Sequence, residues 1–232
     1  LVSQLIEAGG VRGEDILIYD ACGQRNIGAP IYNKIRANSN RNYQAVRFLA
    51  GDDYKMGGRV SPIQDTANPI QFSKTEVGVA YLPQQVTQAK YMINMALMRP
   101  HGMAGVTLIG KNHFGSVYFP DDGWSPRALH NYVLRNMPMG SYNALVDLMG
   151  HRHLGGKTML YMFDALYTAA QNEGNVFRWE SLGDQWAASM LMSQDPVAID
   201  SVGLDLLRSE PRATEVRGTA ENYLHEAALA GK

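Results

Sequence analysis

Cysteine is nearly missing from this chain. Its one thiol, Cys22, excludes an internal disulfide, a zinc site built on several thiolates and a four-thiolate iron–sulfur cluster. Charge is scarce as well. Asp, Glu, Lys and Arg make up 19% of the 232 residues, against roughly 25% in ordinary soluble domains. The formal net charge of -1 gives no basic surface of the kind that holds nucleic acid, so no nucleic-acid partner is expected. No apolar run reaches the roughly 18 residues of a membrane-spanning helix. The longest runs, near residues 91–98 and 159–166, are too short and suit buried strands. Internal repeats and low-complexity tracts are also missing.

What is present is a globular composition. Hydrophobic residues are 45% of the chain, enough for a sizeable core. Short apolar runs bounded by turn residues predict strands at 16–19, 45–49, 91–96, 159–163 and 189–192. Helix-like spacing falls between them at 30–38, 141–148 and 196–208, with a last helix at 220–230 stopping at Gly231. This interleaving predicts an α/β layered fold with a mainly parallel or mixed central sheet and helices on both faces. The clearest helix start is Asp195-Pro196: a carboxylate accepts from orphan amides, and proline loses nothing in the first turn. Residues 51–83, rich in Gly, Pro, Asp and Ser, read as an excursion from a single domain spanning 1–232. The opening Leu1-Val2-Ser3-Gln4-Leu5-Ile6 is already helix-like, so the chain is expected to be truncated at its N-terminus.

Three groups of residues are candidates for chemistry. The first is the glycine-rich stretch His101-Gly102-Met103-Ala104-Gly105-Val106-Thr107, followed by Gly110-Lys111-Asn112-His113-Phe114-Gly115. Glycines let backbone amides approach a ligand, a lysine meets an anion, and an asparagine fixes a polar group. The alternative is a surface turn with solvated charges. The second is Gly150-His151-Arg152-His153-Leu154-Gly155-Gly156-Lys157-Thr158. Its end looks like the tail of a phosphate-binding loop, but the leading glycine position falls on His151 and a strand follows instead of a helix. On an extended segment, His151 and His153 would point to one face and share a metal; otherwise one is a packing residue and the other exposed. The third group is the carboxylates Asp20, Asp164, Asp195 and Asp200 near strand ends, suited to a hard cation or to acid–base work. For Asp195 an N-cap role needs nothing else, and Asp200 is expected either buried against Lys111 or facing solvent. Cys22 reads as a small packing residue, and Trp124, Trp179 and Trp186 as core and rim.

These blocks, together with Phe163-Asp164-Ala165-Leu166 and Ser193-Gln194-Asp195-Pro196-Val197-Ala198-Ile199-Asp200-Ser201, resemble the domain-of-unknown-function family 362. The resemblance runs from about Asp20 to Ala230. It implies a bacterial or archaeal α/β protein, exported in some relatives behind a leader. Some relatives carry ferredoxin-like cysteine motifs, which this chain lacks. The residues it carries over are His101, Thr107, Lys111, Asn112, Asp164, Asp195 and Asp200. His113 stands where other members often have an apolar residue.

Two functional expectations follow. In the first, a small anionic or polar ligand, with or without a divalent metal, binds in a crevice at the strand ends. Lys111, Asn112, His101 and Asp200 would be the reacting groups, Thr107, Gly110, His113 and Asp195 would hold the ligand, and His151, His153 and Asp164 would hold a metal. In the second, the chain is a non-catalytic module whose motifs are folding elements and whose exposed methionines and aromatics join it into a homo-oligomer.

Overall fold

Strands form where branched and aromatic residues cluster between turn residues, and helices where a cap precedes an apolar period. The computed structural model describes residues 1–22, 29–50, 60–124, 126–170 and 174–230. In chain order its strands are β1 (Leu17–Asp20), β2 (Arg47–Ala50), β3 (Ile70–Gln71), β4 (Val79–Ala80), β5 (Met92–Leu97), β6 (Arg99–His101), β7 (Gly105–Thr107), β8 (Thr158–Ala165), β9 (Thr168–Ala169), β10 (Val176–Phe177) and β11 (Ser189–Ser193). The α-helices are α1 (Ala29–Arg36), α2 (Arg41–Gln44), α3 (Gln84–Gln88), α4 (Ile109–Asn112), α5 (Ala144–Gly150), α6 (Pro196–Ser209) and α7 (Asn222–Leu229). All five strands expected from the sequence are there, shifted by a residue or two. Part of the excursion, residues 51–59, and the expected stop at Gly231 lie outside the described residues.

Contacts group the chain into two compact units. The first comprises Leu1–Pro69, Tyr81–Thr87 and Gly115–Ser125. Here β1 and β2 pair in parallel, Leu17 opposite Arg47 through Asp20 opposite Ala50. Phe48 and Val46 join Ile6, Ile16, Ile35 and Tyr43 in one apolar cluster, while Leu49 packs with Ala21 and Trp124 in another. Gly13 is required where it stands: a Cβ would sit 1.7 Å from the Asn42 carbonyl oxygen, and the Gly13 amide donates to Asn42 Oδ1 at 2.6 Å.

The second unit comprises Ile70–Ala80, Gln88–Phe114 and Pro126–Lys232. Its centre is a three-stranded sheet in the order β11-β8-β5. β5 runs parallel to β8, and β11 runs antiparallel to it, so the sheet is mixed. Parallel strands need a long crossover; here it carries α4 and α5 before the chain returns as β8. Alternation sends Met92, Asn94 and Ala96 of β5 inward, and Tyr161, Phe163 and Ala165 of β8 are buried beside them. α4 packs on β5 and β8, and α6 packs on β11. Close approach of α6 needs Gly203, since a Cβ there would lie 2.7 Å from the Phe163 ring. Asn143 caps α5 by accepting from the Leu145 amide at 3.0 Å. The fold is α/β, with helices around a mixed sheet.

Candidate functional site

The glycine-rich block opens into α4, and α4 is held from a distance. Leu108 precedes it with no side-chain cap of its own. Asp200, on the buried face of α6, accepts instead from the Ile109 amide at 2.8 Å and the Gly110 amide at 2.9 Å. These are first-turn amides with no partner inside the helix. The Tyr223 hydroxyl of α7 donates to the same carboxylate at 2.9 Å. Burial pushes the Asp200 carboxyl up to about 7, against the pull of its three donors. Burial also holds the Tyr223 hydroxyl well above its ordinary range, with the neighbouring Asp200 adding to it. Glycine suits position 110, because a Cβ would fall 2.8 Å from Met149 Sδ and 3.1 Å from the Tyr223 ring.

The next residues of the block face the sheet. Asn94, buried in the otherwise apolar β5, donates through Nδ2 to the Ile109 carbonyl at 3.2 Å and to His113 Nε2 at 3.0 Å. Its Oδ1 accepts from Asn112 Nδ2 at 2.7 Å. Asn112 also donates to the Met95 carbonyl at 3.2 Å. Because Nε2 accepts, the His113 proton sits on Nδ1. Burial drives His113 down to about 4, with repulsion from His151 in the same direction.

His151 does not lie on the extended segment expected from the sequence. It ends α5, and a turn follows in which the Leu154 amide bonds the His151 carbonyl at 2.9 Å. The rings of His151 and His153 still come within 5.7 Å, and His151 Nδ1 accepts the His153 amide at 3.2 Å. Burial pushes His151 down to about 4, helped by His153, Arg152 and Lys157.

Lys111 stands between Gly110 and Asn112, which these two networks engage. Its side chain is buried, and Nζ lies 3.3 Å from the centroid of the Phe114 ring. Phe114 in turn meets the His130 ring at 4.5 Å, and His130 stacks on His101 at 5.9 Å and 24°. The result is a column of one ammonium and three rings. At its far end His101 Nδ1 accepts the Met103 and Ala104 amides at 3.1 and 3.2 Å, which leaves its proton on Nε2. His130 Nδ1 donates to the Arg127 carbonyl at 3.2 Å. Thr107 lies opposite Arg99 in the β6–β7 pair, and Gly105 opposite His101, so Thr107 and His101 share one face of that hairpin. The Thr107 hydroxyl is enclosed and has no hydrogen-bond partner among the described residues.

Sequence reasoning had singled out the two ends of this column, Lys111 and His101, without the rings between them. His130, Asn94 and Tyr223 were missed. Asn94 carried a usable signal, a carboxamide inside an apolar strand, since a buried amide demands a partner. His130 and Tyr223 carried none.

The remaining candidates stand apart. Asp195 is exposed and accepts from the Val197 and Ala198 amides at 2.8 and 3.0 Å, the N-cap its sequence announced. Asp164 accepts the Leu166 amide at 3.1 Å in a local turn. Among the described residues no three His, Cys, Asp or Glu side chains gather where one ion could sit, so His151, His153 and Asp164 do not make a three-ligand set. No helix among the described residues is long and apolar enough to cross a membrane.

An α/β chain with a mixed sheet, a Gly-Lys-Asn helix start and a buried aspartate capping it from another helix is the class that fold and site define. The family model for the domain of unknown function DUF362 matches residues 1–205, and the chain belongs to that family. No curated protein and no solved structure matches it.

Proposed function

We propose that the chain binds a small anionic ligand at the column formed by Lys111, Phe114, His130 and His101. The observation that carries this reading is the buried Lys111 ammonium held 3.3 Å from the Phe114 centroid at the head of two stacked imidazoles. An ammonium and an anion attract each other more strongly in a low-dielectric surround than in water. The Thr107 hydroxyl, on the same face of the adjoining hairpin as His101, adds hydrogen-bonding capacity. In this reading Asp200, Gly110, Asn94 and Asn112 are positioning residues: they fix α4, and α4 fixes Lys111.

The test is calorimetric titration with inorganic phosphate and with citrate. One of them is expected to bind, and Lys111→Met is expected to weaken that binding at least about tenfold with the melting temperature little changed. His130→Gln serves as a second, less buried variant. If neither anion binds the wild-type chain, or if both variants bind as well as it does, the reading fails.

A second reading, a module whose family motifs are folding elements, draws support from Asp195, Asp200 and Gly110, each engaged in capping or close packing. It requires Lys111→Met to lower stability and leave any anion binding untouched.

A further inference from the structure

The outer face of the β5–β8–β11 sheet carries a row that the anion-binding reading does not use. In register, Met95 of β5 lies opposite Met162 of β8, and Met192 of β11 lies opposite that same Met162. Residues paired across strands point to the same face, with neighbouring strands about 4.8 Å apart. Three thioethers therefore stand side by side across the whole sheet, on the face opposite Asn94 and Phe163. The outer two are open to solvent, Met95 at 43% and Met192 at 61%, and the middle one, Met162, is covered at 5%. Met190, two residues along β11 and 47% exposed, sits opposite Asp164 and offers a fourth sulfur. The other side chains on this face of the three strands are Ile93, Leu97 and Leu160, and Asp164 is its single charged group.

Methionine is an unusual choice for such positions. Strand faces favour branched and aromatic side chains. A buried gap is a common use for a flexible thioether, but two of these three are exposed. What a thioether offers that Leu or Ile does not is a soft, uncharged donor, suited to a soft monovalent metal ion. We propose that Met95, Met162 and Met192 form a three-thioether site for such an ion, Cu(I) in chemical class, with Met190 at its margin. A thioether holds no proton, so binding releases none. Affinity stays level across pH values at which imidazole and carboxylate ligands lose theirs.

Ag(I), a redox-inert probe of the same class, tests this in protein carrying 13C-methyl methionine. A Cys22→Ser background removes the one thiol, which would otherwise compete. One equivalent is expected to move the methyl signals of Met95, Met162 and Met192, out of twelve methionines in all, equally at pH 5 and pH 7. Met95→Leu with Met192→Leu keeps the apolar cover and removes two sulfurs. It is expected to weaken binding at least about tenfold in competition with a soluble chelator. The proposal is overturned if no signal saturates near one equivalent, if the exposed Met103, Met139 and Met159 respond alike, or if the double leucine variant binds unchanged. The last outcome, or no binding at all, marks the face as merely apolar.

Discussion

The exposed start of α6 and its buried face each present an aspartate to a helix terminus, and the two differ in reach and in surroundings. Asp195 caps its own helix from two and three residues away, in water. Asp200 caps α4 from across the fold, fully enclosed, with Tyr223 on the same carboxylate. Five positions apart in one motif, the two carboxylates look alike as letters. Solvent is what separates them. Water replaces the lost acceptor at an exposed cap, whereas an interior cap leaves stranded donors when it is removed.

The largest effect expected from this contrast is that of Asp200→Asn. The amide nitrogen must face either the Ile109 amide or the pair formed by the Gly110 amide and the Tyr223 hydroxyl, all of them donors to the carboxylate. The expected loss of folding stability is about 3 kcal/mol or more, read by urea denaturation. If it loses no more than the surface cap does, the contrast between the two aspartates collapses.

Acidity sharpens the picture next. His113, near 6.5 when unfolded and about 4 when folded, contributes stability that is full above pH 6.5 and lost as pH falls toward 4. Asp200, near 3.8 when unfolded and about 7 when folded, contributes stability that is full below pH 3.8 and lost as pH rises through 7. Between about pH 4 and 6.5 the two slopes oppose each other, each worth roughly 3 kcal/mol across the window. His151 acts in the same direction as His113. His113→Gln is expected to flatten the profile through this window, because His151 still offsets Asp200, whereas Asp200→Asn is expected to lose stability steeply as pH falls. Denaturation midpoints at pH 4.5, 5.5 and 6.5 decide it, and parallel curves for the two variants would contradict the opposition.

The smallest effect belongs to the surface. Asp195→Ala is expected to cost about 1 kcal/mol.

Much of the fold was legible in the letters. Runs such as Ile16-Leu17-Ile18-Tyr19 and Met159-Leu160-Tyr161-Met162-Phe163 announce buried strands by length and flanking turns, and Asp195-Pro196 announces α6 by capping chemistry. The two-residue strands β3, β4, β9 and β10 are too short to show any period. The site was half legible. Lys111 and His101 stood out because glycines crowd around them. Their grouping depends on Phe114 and on His130, which stands on a separate short helical turn, and no local pattern encodes that approach. The role of Asp200 was hidden for the same reason: its partners lie 90 and 91 residues away.

The parallel pairing of β5 with β8 also has a bearing on how the chain is made. About sixty residues separate Leu97 from Thr158, so β5 leaves the ribosome long before its neighbour exists. At about 5–20 residues per second, Met92–Leu97 waits several seconds as an unpaired apolar segment. During that interval the segment is open to pairing with the wrong neighbour.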